Sequence, residues 1–94
     1  MKWIEVIGLR SASSDRKILE SNLRKLIDDT KNVSNQPVIA VFSRVSIDTD
    51  FCVHLYHDSI KVKRGGSRLG LCLVDALKAF GLVNHSLWTE IDCQ

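Results

Sequence analysis

One proline and five glycines in 94 residues leave no room for a proline-rich linker or a low-complexity tract. A chain of this length reads as one domain, 1–94, with a modest core. The three cysteines, Cys52, Cys72 and Cys93, are far apart and form no CxxC pair, which excludes a disulfide framework or a zinc knuckle and suggests free thiols. No stretch approaches the about 20 apolar residues of a membrane span. The opening MKWIEVIGLR is broken by Glu5 and lacks the apolar core and cleavage site of a secretory signal. A cytoplasmic chain without a membrane partner is therefore expected. Charge of one sign is also scarce: 13 Lys and Arg against 11 Asp and Glu give +2, too little for a dedicated nucleic-acid binder.

What the sequence does have is clear alternation. KWIEVIGL (2–9) has the period of a strand, followed by a polar loop, RSASSD, in which Ser13 or Ser14 can cap a helix and Asp15 suits its dipole. From Asp15 to about Thr30, Ile18, Leu19, Leu23, Leu26 and Ile27 line one helical face. KNVSNQP (31–37) is a turn-rich break. VIAVFSRV (38–45) and FCVHLYH (51–57) are strands joined by the short SIDTD, as in an antiparallel hairpin. A second helix runs from Arg68 to Phe80, with Ser67 as its N-cap and Gly81 as a left-handed C-terminal residue. LVNHSLWTEI (82–91) is the last strand. The order βαββαβ predicts a ferredoxin-like α+β sandwich: a four-stranded antiparallel sheet with both helices on one face.

The loop KVKRGGSRLG (61–70) has the cations and glycines of a phosphate cradle but fails its motifs. Gly65 and Gly70 have P-loop spacing, yet Leu71 and Cys72 stand where Lys and Ser or Thr are needed. The plain reading is a loop and a capped helix start, with anion binding left as an open question.

Strand parity points to a site on the uncovered sheet face. With Ile4, Val6, Ile39, Val41, Val53 and Leu55 under the helices, the other face carries Trp3, Glu5, Ile7, Phe42, Arg44, Cys52, His54 and Tyr56, joined by Trp88. So many aromatics in one patch need a cover, and a second copy is the simplest one. Two such sheets would enclose an aromatic cavity with a few polar groups. Within it His54 is the candidate for proton transfer, with Glu5 to orient it. Arg44 can hold a carboxylate or phenolate, and Trp3, Phe42, Tyr56 and Trp88 can stack on an aromatic ligand or fill the dimer core. HLYH is not read as a metal pair, because His54 and His57 fall on opposite faces of a strand.

The element order, together with the strand in TDFCVHLYHDS (49–59), resembles the dimeric α+β barrel proteins, including the antibiotic-biosynthesis-monooxygenase-like and stress-responsive families. The resemblance implies a homodimer closed through the open sheet face. It also implies a small aromatic ligand inside, and monooxygenase or isomerase chemistry without a cofactor. The alternative is a ligand-sensing or structural dimerisation module without activity. An RNA-binding module shares the topology, but FCVHLYH lacks the glycine and basic start of its consensus strand.

Overall fold

The structure is a computed structural model that describes residues 2–12, 16–30, 37–59 and 61–92. Six elements follow one another: β1 (Lys2–Ser11), α1 (Arg16–Thr30), β2 (Val38–Ser43), β3 (Asp50–Asp58), α2 (Arg68–Leu77) and β4 (Gly81–Thr89). The expected ferredoxin-like order is observed. The caps expected at Ser13, Ser14 and Asp15, most of the 31–37 break and Cys93 lie outside the described residues.

The strands form one sheet in the order β2-β3-β1-β4, with every neighbouring pair antiparallel. β1 and β2 run the same way with β3 between them, and parallel strands need a long crossover, which α1 provides. α2 does the same for β3 and β4. The β2–β3 connection is a tight turn in which Ser46 takes a left-handed conformation, φ 66°. Arg44 N–H closes it on the Asp50 carbonyl at 2.9 Å.

Both helices lay an apolar stripe on the same face. α1 buries Leu19, Leu23 and Ile27, one residue per turn, while Ile18 stays exposed. α2 buries Gly70, Leu73 and Leu77. They meet Ile7, Leu9, Phe51, Val53 and Leu55 from the two central strands.

Two expectations for α2 need adjustment. The helix stops at Leu77, and residues 78–80 form a turn instead of a last helical turn. Gly81 opens β4 without a positive φ. It is small for a different reason: a Cβ there would sit 2.0 Å from the Arg10 carbonyl oxygen, where the end of β1 passes close by.

Because Leu55 is fully enclosed at the centre of this layer, Leu55→Ala should lower unfolding free energy by about 2–5 kcal/mol. Val45→Ala, in the exposed β2–β3 turn, should change it by less than about 0.5 kcal/mol. Urea unfolding of the two variants checks both.

Candidate functional site

The open face of the sheet gathers most of the residues that the sequence put there. Phe42, His54 and Tyr56 lie in a row: the Phe42 and His54 rings are 4.8 Å apart, and His54 and Tyr56 are 6.1 Å apart edge-on. Cys52 Sγ lies 3.5 Å from His54 Nε2. Burial pushes the Cys52 thiol above its usual range, so it is a neutral thiol beside the imidazole and not a thiolate nucleophile. Trp88 joins from β4, where its Nε1–H donates to Ser86 Oγ at 2.8 Å. That bond holds an indole that is 60 % exposed. Between Ile4, Val38, Tyr56 and Trp88 lies a cleft of about 560 Å³.

β1 faces the other way from the expectation. Directly paired residues share a face, and Glu5 pairs with Leu55 and Leu87, while Ile7 pairs with Val53. Trp3, Glu5 and Ile7 therefore lie under the helices, where all three are buried, and Ile4, Val6 and Gly8 look outward. Trp3 packs flat on His57, with ring centroids 4.0 Å apart, and donates Nε1–H to Ser59 Oγ at 2.9 Å. Glu5 cannot orient His54 through the sheet. Arg44, expected to hold a carboxylate, holds Asp50 of its own chain, Nη1 to Oδ2 at 3.1 Å.

Glu5 is the centre of a second constellation that sequence reasoning missed. Its carboxylate is 0 % exposed and accepts three hydrogen bonds. His57 Nε2 reaches Oε1 at 2.7 Å, His85 Nε2 reaches Oε2 at 2.8 Å, and the backbone N–H of Ser67 reaches Oε1 at 3.0 Å. Burial works against this charge and pushes its pKa up. The bonds from Ser67, His85 and His57 outweigh it and hold the carboxyl below its ordinary value. An ionised carboxylate only accepts, so both imidazoles must carry a proton on Nε2. The two histidines approach along a diagonal: His57 pairs with Trp3 and His85 with Ile7, two positions either side of Glu5. They stand on opposite sides of the carboxylate. Among the described residues no group of three such side chains has metal-binding geometry.

This answers the question raised by KVKRGGSRLG. The start of α2 does receive an anion, and the anion is the protein's own Glu5. Ser67 caps the helix as expected, its hydroxyl accepting from Gly70 N–H at 3.0 Å, while its own N–H goes to Glu5. The glycines make room. A Cβ on Gly70 would fall 2.0 Å from Glu5 Oε2, and one on Gly66, whose φ is 98°, would fall 2.4 Å from the His85 ring. A signal was present in the sequence: His57 continues the Val53 and Leu55 side of β3, and His85 continues the Val83 and Leu87 side of β4. Two histidines under the helices call for an anionic partner.

No family model matches the chain, and no curated protein does. The class that the fold defines is the ferredoxin-like α+β sandwich, and the comparisons with solved structures find the same fold. The chain is similar to SnoaB, a cofactor-independent oxygenase from Streptomyces nogalater, with a TM-score of 0.71, 13% identity and coverage of 98% of this chain and 95% of that one. It is similar also to an antibiotic biosynthesis monooxygenase, with a TM-score of 0.66, 12% identity and coverage of 98% and 100%. At these identities the likeness is one of fold.

Glu5→Gln should cost about 3–5 kcal/mol, because a neutral amide turns an N–H₂ toward groups that already donate. The sign with pH follows from the depressed pKa. Glu5 contributes its full stability above the unfolded value near 4.5, and loses it as pH falls through the lower folded value. Urea midpoints from pH 7 to pH 3 should therefore fall further for the native chain than for Glu5→Gln.

Proposed function

We propose that the chain is the subunit of a homodimeric α+β barrel that holds a small aromatic molecule against its open sheet face. One observation carries the reading. Val38, Tyr56 and Trp88 are 70%, 42% and 60% exposed and form, with Ile4 between Tyr56 and Trp88, one apolar row across the four strands. Isolated exposed apolar residues are ordinary, but a contiguous patch marks an interaction surface. The molecule is a slab of 40 × 32 × 20 Å, and its broad side has room for the about 800 Å² per partner of a standard interface.

The cleft beside Trp88 and Tyr56 suits a flat, largely apolar ligand. A second copy over it would exclude water and strengthen every polar contact inside. His54 is the one imidazole on this face and is the group that can accept a proton from an acidic ligand there. Glu5, His57 and His85 are fully engaged beneath the sheet and serve the fold. The activity of the similar oxygenase supports cofactor-independent oxidation as the chemistry to test first, with sensing or structural dimerisation as the reading without turnover.

A second place for a ligand is favoured by a separate cavity. A groove of about 400 Å³ runs between α1 and the β2–β3 half of the sheet, with Leu23, Ile27, Val41 and Phe51 in its walls. It would take a ligand within one subunit.

Light scattering of the native chain should give a dimer, and Phe42→Glu should give a monomer. A native monomer overturns the covered face. Titration with polycyclic phenols and quinones should quench tryptophan fluorescence in the native chain, and Trp88→Ala should lose most of that response. Quenching that survives Trp88→Ala but is lost in Phe51→Ala moves the ligand to the groove.

A further inference from the structure

The two ends of the open face carry opposite charge. At one end Arg10 of β1 and Arg44, just after β2, grip Asp50 of β3, with Arg10 Nε to Oδ1 at 3.3 Å and Arg44 Nη1 to Oδ2 at 3.1 Å. Partial burial pushes the Asp50 carboxyl up, but hydrogen bonds from Arg10, Arg44 and Thr49 hold it below its usual range. This end has two cations to one anion. At the other end, about 27 Å away along β1 at about 3.4 Å per residue, Lys2 pairs across the strands with Asp58. Glu90 lies beside them and donates its N–H to the Lys2 carbonyl at 2.9 Å. Among the described strand-end residues, this end has two anions to one cation. Between the ends, the outward positions of the four strands carry no other Lys, Arg, Asp or Glu.

We infer that a second copy packs on this face with its ends exchanged, so that Arg10 and Arg44 of each copy meet Asp58 and Glu90 of the other. The inference rests on the covered-face reading above and adds the geometry of the cover. Two copies related by an axis along the strands would set cation-rich end against cation-rich end and anion-rich end against anion-rich end. Two copies related by an in-plane axis across the strands pair unlike ends twice, and unlike potentials are what interfaces select. The strands then run antiparallel between the sheets, within the about 30° of aligned sheet packing. The arginines have capacity left. Their side chains are 67% and 58% exposed, and each guanidinium offers five donors, of which Asp50 takes a small share. A guanidinium fork can bind the carboxylate of the partner while it holds its own.

Charge reversal tests the geometry by sedimentation equilibrium at low salt, with folding checked by circular dichroism. Arg10→Glu with Arg44→Glu should weaken the dimer by about 10-fold or more, as should Asp58→Lys with Glu90→Lys. The chain carrying all four substitutions should dimerise again, because its reversed ends still meet as unlike charges. If the native chain is a dimer and the fourfold variant is a monomer, like ends meet and the inference is overturned while the covered face stands. Double variants that remain fully dimeric overturn it as well. A native monomer overturns the covered face itself. If a double variant fails to fold, the native dimer alone decides. Its dissociation constant should rise several-fold between about 0.05 and 0.5 M salt, and an unchanged constant is against the inference.

Discussion

A carboxylate with no exposed surface has to be answered from every side, and Glu5 is answered by three separate elements. β3 brings His57, β4 brings His85, and the start of α2 brings the Ser67 N–H. An isolated charge in this position would cost far more than the domain could tolerate. Three donors and the positive end of a helix make it tolerable, and in doing so they fix how those three elements meet β1. Gly66 and Gly70 are the geometric counterpart, since any side chain there would enter the space of the carboxylate or of His85. The interaction therefore ties the middle strand, both its neighbours and the second helix to one point.

That point also decides what the open face is. Because side chains alternate along a strand, placing Glu5 under α2 places Ile4, Val6 and Gly8 outside. Between Lys2 and Arg10 at its ends, the outward surface of β1 is thus plain and apolar. The rings in the middle of the open face come instead from β2, β3 and β4: Phe42, His54, Tyr56 and Trp88. The face has neither the indole of Trp3 nor the carboxylate of Glu5, and it is chemically simpler than the sequence suggested. His54 stands there with a neutral thiol and two rings for neighbours.

The fold and the function rest on different kinds of support. Antiparallel pairing, one helical layer and a TM-score of 0.71 to a cofactor-independent oxygenase define the architecture. Chemistry depends on particular side chains, and at 13% identity the scaffold carries none of them over by itself. The structure separates the histidines by place. His57 and His85 are tied to Glu5 on the helix side of the sheet, and His54 lies on the open side.

The sequence by itself determined the element order, because local periodicity and caps are written locally. The alternation in VIAVFSRV and FCVHLYH placed β2, β3 and their hairpin, and Ser67 marked the start of α2. It also determined which side of β3 faces outward, since β3 has one clearly apolar side, and the hairpin carried β2 with it, while the facing of β4 came only from its register against β1. β1 has no such side: Trp3 and Ile7 compete with Ile4 and Val6, and the polar Glu5 pointed to the wrong one. Its facing was decided only in the tertiary structure, by groups 52, 62 and 80 residues away in the chain that converge on one carboxylate. The energy of a buried charge depends on partners that no local window contains. For that reason the strand was legible from the start while its orientation was not.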